Sequence, residues 1–288
     1  MLRPAAALAA GVILSGCAAL LEPLEQSLLY RSRPASAERF AAILERDTGV
    51  EEVRITAADG VQLHGLLKRA PGAAPGARYP LVIVFGGVAR ETSWMVSWGD
   101  KPAEWGWLLV NYRGYGLSEG TPSERAILAD SKLIYDWAAA RADVDPAGIV
   151  VLGRSLGAHF AVALAAERPV RAVILATPFD SLAAIGDKRY PLMPTGALLN
   201  GRYEPAALAP KISVPALFVL AENDDVTPVE HGQALAAAWG GPKTVVTLAG
   251  TGHRMVEWRQ EYWRALSDFL RELTPPQRRL VGSGIVQK

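Results

Sequence analysis

Short apolar runs separated by stretches of helical periodicity fill the middle of this chain, and together they predict an α/β domain. The runs fall at Leu81–Phe85, Leu108–Tyr112, Ile149–Leu152, Ala172–Ala176, Ala216–Leu220 and Val245–Leu248. They are continuous rather than alternating, the pattern of strands covered on both faces. Between them Glu124–Arg141, Leu156–Glu167, Pro228–Trp239 and Trp258–Leu273 carry apolar residues at helical spacing. Such alternation builds a mostly parallel sheet flanked by helices.

Upstream the periodicity changes. Val53–Thr56 and Val61–Leu66 read as strands, and Asp59-Gly60 between them is a hairpin signal. Before them Ser36 is placed to cap a helix over Ala37–Asp47, with Phe40, Ile43 and Leu44 as its apolar stripe. Between Thr177 and Val214 the rhythm breaks: no clear strand appears, and Pro178, Pro191, Pro194, Pro205 and Pro210 interrupt any helix. An insertion at this point predicts a small lid of one or two helices over residues 178–213.

The N-terminus has its own pattern. Met1–Pro4 is a short positive start and Ala5–Leu14 an apolar run. The run is too short to span a bilayer, which takes ~20 residues, but suits the core of a signal peptide. Leu14-Ser15-Gly16-Cys17 resembles the lipobox of bacterial lipoproteins. That resemblance implies cleavage before Cys17, acyl chains attached to that cysteine, and a lipid-anchored protein of the bacterial cell envelope. Ala18 after the cysteine implies the outer membrane, facing the periplasm. An ordinary secretory signal and a buried apolar helix are the alternative readings. The expected division is a signal peptide over 1–16, a tether and helix over 17–50, the α/β domain over 51–273 and a tail over 274–288.

Composition narrows the picture further. A length of 288 residues suits one such domain. The 30 basic residues balance 29 acidic ones with no basic stripe, which argues against a nucleic-acid partner. With Cys17 the one cysteine, no intramolecular disulfide can form. No metal cluster and no dinucleotide fingerprint is found, so the sequence implies no cofactor.

The chemistry concentrates in a few places. Gly153-Arg154-Ser155-Leu156-Gly157 follows one apolar run and opens a helix, the strand–turn–helix setting of a nucleophile elbow. It makes Ser155 the candidate nucleophile, and the helix N-terminus favours negative charge there. A serine needs a base within hydrogen-bond reach, and His253 in Gly250-Thr251-Gly252-His253 follows the last apolar run. His64, His159 and His231 read as polar or packed residues. Asp224 and Asp225 both fit the acid that orients the base. Asp224 is preferred from the spacing of the Gly-x-x-Asp-x-x-Val-Pro pattern, with Ala221 at the glycine position. The oxyanion hole takes the amide of Leu156 and, from Phe85-Gly86-Gly87-Val88, the amide of Val88.

Asn111-Tyr112-Arg113-Gly114-Tyr115-Gly116-Leu117-Ser118-Glu119-Gly120-Thr121-Pro122, the Ser155 elbow, Thr177-Pro178-Phe179-Asp180-Ser181-Leu182 and the Asp224 loop occur in that order. The set resembles serine-aminopeptidase-like α/β-hydrolases over about Val53 to Leu273. The resemblance implies the α/β-hydrolase fold and a Ser-His-Asp hydrolase acting on a small-molecule acyl ester or thioester. It gives Arg113 and Asp130 a structural role. A peptidase of the same fold and a catalytically silent, envelope-binding lipoprotein are the alternatives. Two departures stand out: Gly86-Gly87-Val88 where relatives often carry His-Gly-Asn or Gly-Gly-Asn, and Ala221 for glycine. Trp94, Trp98, Trp105 and Trp107 cluster after the oxyanion loop, as core residues or, for Trp94 and Trp98 in particular, as pocket lining.

Overall fold

The computed structural model describes residues 26, 29–30, 34–88, 90–100, 102–192, 195–199 and 202–274. The expected signal peptide, Cys17 and all but the first residue of the expected tail lie outside the described residues.

Eight strands form one sheet in the order β1-β2-β4-β3-β5-β6-β7-β8. They are β1 (Val50–Thr56), β2 (Gln62–Lys68), β3 (Tyr79–Phe85), β4 (Gly106–Val110), β5 (Val144–Arg154), β6 (Ala172–Ala176), β7 (Ala216–Ala221) and β8 (Lys243–Leu248). Pairing is antiparallel for β1–β2 and β2–β4 and parallel from β4 through β8. β3, β4, β6 and β7 are buried at every position, as their unbroken apolar runs require. β8 departs from that expectation. It closes the sheet, only Leu248 is fully buried, and Val245 is 45% exposed.

Successive side chains of a strand point to opposite faces, and the two faces carry separate cores. On one, Ile83, Phe85, Val151, Leu175 and Phe218 meet α2 (Glu124–Ala139), α3 (Leu156–Glu167) and α7 (Val229–Ala238) through Ile134, Phe160 and Leu235. On the other, Val82, Val84, Leu152, Ile174 and Val219 meet α1 (Ala37–Arg46), a 3₁₀ segment (Ser93–Asp100) and α8 (Gln260–Leu273). Each fully buried Val, Leu or Ile contributes roughly 1.5–3 kcal/mol, so these faces dominate the stability. Trp105 and Trp107 are buried and belong to the second core.

Local chemistry sets several boundaries. Ser36 occupies the N-cap of α1 in extended conformation but makes no capping bond; its side chain interacts with Glu38 instead. The Asp59-Gly60 turn forms as expected, with Gly60 at φ +85°. Arg113 grips Asp130 with Nε and Nη2 at 2.7 and 2.8 Å and reaches Asp59 at 2.5 Å, tying that hairpin to α2.

The segment expected as a lid holds three short helices, α4 (Leu182–Arg189), α5 (Thr195–Leu198) and α6 (Pro205–Leu208), with a 3₁₀ turn after them. α4 has no buried residue. Glu124 fastens the end of the segment: its carboxylate accepts the amides of Arg202 and Tyr203 at 2.8 Å each and lies 2.8 Å from His159 Nε2.

Candidate active site

Ser155 stands between β5 and α3 at φ 54°, ψ −123°, a left-handed conformation that costs a non-glycine residue of order 1–3 kcal/mol. The flanking glycines make the turn possible. A Cβ on Gly157 would overlap the carbonyl oxygen of Phe85, and one on Gly153 would lie 2.5 Å from Gly157 O and 2.6 Å from Ala158 Cα. Strand β3 and the start of α3 therefore approach closer than any side chain allows. The Ser155 amide is fixed by a 2.9 Å bond to Ala176 O on β6.

His253 reaches the serine from the loop after β8. Its Nε2 is 3.0 Å from Ser155 Oγ. Its Nδ1 lies 2.8 and 2.9 Å from the carboxylate oxygens of Asp224, which follows β7. Asp224 Oδ1 also accepts the amides of Val226 and Thr227 at 2.9 and 2.7 Å. Burial opposes ionisation of Asp224, but the His253 bond and charge and the two amides outweigh it and hold the carboxyl below its ordinary value. Asp225 is exposed, and the carboxylate bonded to His253 Nδ1 is that of Asp224. The acid and base loops are tied directly, Asn223 N to Thr251 O at 2.9 Å and Gly250 N to Glu222 Oε2 at 2.7 Å.

The three side chains thus come together at the C-terminal ends of parallel strands, where α/β sheets place ligand sites. His64, His159 and His231 do not join them. Each sits beside its own carboxylate, Glu52, Glu124 and Asp180 respectively.

Gly86, Gly87 and Val88 form the opposite wall of a pocket of about 250 Å³ that contains Ser155 and His253. Tyr112 and Tyr115 hold this turn by donating to Gly86 O and Val88 O at 2.7 and 2.9 Å. Gly87 packs against the elbow: a Cβ there would be 3.6 Å from Ser155 Cβ. Leu156, the first residue of α3, is buried behind the serine.

Two residues missed in the sequence complete the site. Arg154, inside the elbow, pairs through Nε with Glu257 and donates from Nη2 to His253 O at 3.1 Å. Glu257 is 9% exposed, and its own carbonyl accepts Trp263 Nε1 at 2.8 Å. The pair clamps the histidine loop to the nucleophile turn. A charge just after the apolar run Ile149–Leu152, and a lone acid four residues after the histidine, were the available signals.

The segment 178–213 contributes no described residue to the pocket lining. The walls come instead from Arg90, Trp94 and Met95 and from Arg254, Glu257 and Trp258. Among the described residues no group of three or more His, Cys, Asp or Glu could hold a metal ion.

This sheet order and elbow define the α/β-hydrolase fold. A family model described as serine hydrolase matches residues 132–272. The chain is 40% identical over 146 residues to Rv2307c of Mycobacterium tuberculosis, a match covering 51% of this chain and 52% of that protein. The chain thus spans about half the length of that relative. YfhR of Salmonella typhi is 31% identical over 219 residues, covering 70% of this chain and 74% of YfhR. Among solved structures an esterase from Pyrococcus furiosus shares the fold at TM-score 0.63 and 19% identity, over 78% of this chain and 90% of that one. The chain belongs to the same family as YfhR and has the α/β-hydrolase fold, with the serine hydrolase match falling on its C-terminal half.

Proposed function

We propose that this hydrolase cleaves carboxylic esters or thioesters through an acyl-enzyme on Ser155. The observation that carries this reading is the unbroken relay Ser155 Oγ to His253 Nε2 at 3.0 Å and His253 Nδ1 to Asp224 at 2.8 Å. His253 takes the hydroxyl proton as Ser155 attacks the carbonyl carbon, and Asp224 stabilises the imidazolium that results. The developing oxyanion is held by the Leu156 amide at the positive end of α3 and by the Val88 amide from the facing turn. His253 then protonates the departing alcohol or thiol. Water, deprotonated by the same imidazole, releases the acid.

A peptidase that captures a free amine needs an unpaired acid near the serine. The carboxylate lining this pocket, Glu257, is already taken by Arg154. That favours the esterase reading.

A pocket of about 250 Å³ falls below the ~300 Å³ at which ligand sites usually begin. Across p-nitrophenyl esters of rising chain length, kcat/KM should therefore climb at first, since each buried methylene contributes ~0.8 kcal/mol. The climb should end at about four to eight carbons. A profile still rising at sixteen carbons would reveal a long acyl channel and a lipase.

The N-terminal motif supports a second part of the proposal, lipid anchoring at Cys17 in the bacterial envelope. Cys17→Ser should move the protein from the membrane to the soluble fraction with its activity intact. Absence of palmitate-analogue label on the unaltered protein would leave only an ordinary signal peptide.

A further inference from the structure

Beside the catalytic pocket runs a second groove of about 550 Å³, and the two share Arg90, Trp94, Glu257 and Trp258. A molecule bound at Ser155 and larger than the pocket meets this groove next. Its surface is aromatic. Trp98 sits edge-to-face with Trp94 at 4.9 Å and with Trp263 at 5.1 Å, a rigid set of indoles. Trp258 on the rim is 78% exposed. Large aromatics bury 150–250 Å² when covered, about the largest contribution a single side chain makes to binding.

Charge gives the groove its second property. Arg90 lies over the Trp94 ring at 4.5 Å. Arg90 lines both cavities and Arg254 the catalytic pocket; both are exposed, and neither has a carboxylate partner among the described residues. Glu257 is the one described carboxylate lining either cavity, and Arg154 neutralises it. The cleft is therefore apolar with surplus positive charge, and a cationic or purely polar ligand would fit it poorly.

Resting on the esterase reading, we propose that this groove is a subsite for the part of the substrate remote from the scissile carbonyl. It selects an aromatic or other bulky apolar group that carries a carboxylate or phosphate. The tryptophans bind the apolar body, and Arg90 on the groove, with Arg254 on the adjoining wall of the catalytic pocket, binds the anion.

The test uses a matched pair of ligands, 4-phenylbutanoate and 4-phenylbutanamide, which differ chiefly in charge. Each is measured twice: as a competitive inhibitor of p-nitrophenyl acetate hydrolysis, and by quenching of tryptophan fluorescence in Ser155→Ala. The carboxylate should bind about tenfold more tightly than the amide, the size of one charge-assisted hydrogen bond, and added salt should shrink the difference. The double substitution Arg90→Gln with Arg254→Gln should bring the ratio to about one, while Trp258→Ala should weaken both ligands alike. Equal binding of acid and amide by the unaltered protein, or a ratio that survives loss of both arginines, overturns the proposal. Should p-nitrophenyl acetate not be hydrolysed while the fluorescence ratio appears as expected, the esterase reading falls and the anionic subsite stands.

Discussion

Ser155→Ala should lower kcat on p-nitrophenyl esters by about 10⁴-fold or more, with the thermal midpoint little changed. The Oγ is the atom that His253 Nε2 addresses, at 3.0 Å. An alanine removes the attacking atom and leaves the amides that would hold the oxyanion in place. The elbow itself should persist: its strain is carried by φ 54° at residue 155 and its closeness by Gly153 and Gly157, neither of which changes. His253→Ala should cost as much, and the double substitution hardly more, because nucleophile and base act as one unit. Activity within tenfold of the parent in Ser155→Ala would take this serine out of the mechanism.

The strands were legible because a buried parallel strand has no choice but to be apolar along its length. β6 occupies the residues expected, and β7 runs one residue further. β5 begins earlier than its apolar run, at Val144, since Asp145-Pro146-Ala147-Gly148 hides the continuation. There the pairing with β3 is irregular between Tyr79 and Leu81. The 3₁₀ segment Ser93–Asp100 was not legible. Runs of this geometry are short and have a period near three. This one is placed by tertiary bonds, Thr92 N and Oγ1 to Asn111 Oδ1 at 2.8 and 3.1 Å. Core or pocket lining was accordingly undecided for Trp94, whose position depends on that segment.

The same distinction runs through the site. Ser155, Asp224 and His253 each follow a strand, and the C-terminal ends of parallel strands lie along one edge of the sheet, so motif and chain order together indicate their meeting. The Arg154–Glu257 pair joins residues 103 apart in sequence, and only the fold reveals it. The Pro-rich segment 178–213 was recognised as an insertion, yet an insertion's position in the chain does not say which way it leans. Glu124 on α2 holds Arg202 and Tyr203, the Asp225 carbonyl accepts from Arg189, and no described residue of the segment lines the pocket.

Asp224→Asn should cost about 10⁴-fold in kcat, while Asp225→Asn should stay within about twofold, as expected for an exposed change away from the chemistry. The backbone around residue 224 decides how the new amide sits. The Oδ1 position faces the amides of Val226 and Thr227 at 2.9 and 2.7 Å, both donors. The side-chain oxygen must stay there, which puts the NH₂ at the Oδ2 position, 2.8 Å from His253 Nδ1. The NH₂ is then the nearer of the two groups facing Nδ1, the other being the oxygen at 2.9 Å, and a neutral imidazole that accepts from it at Nδ1 carries its proton on Nε2. In that tautomer the nitrogen facing Ser155 Oγ is a donor and cannot take the serine's proton. Thr227 Oγ1, 3.2 Å from Nδ1, cannot restore the lost carboxylate, because a hydroxyl carries no charge to stabilise the imidazolium. The substitution should therefore strike kcat far more than KM. Comparable losses in Asp224→Asn and Asp225→Asn, or a larger one in the latter, would show that another carboxylate orients the base.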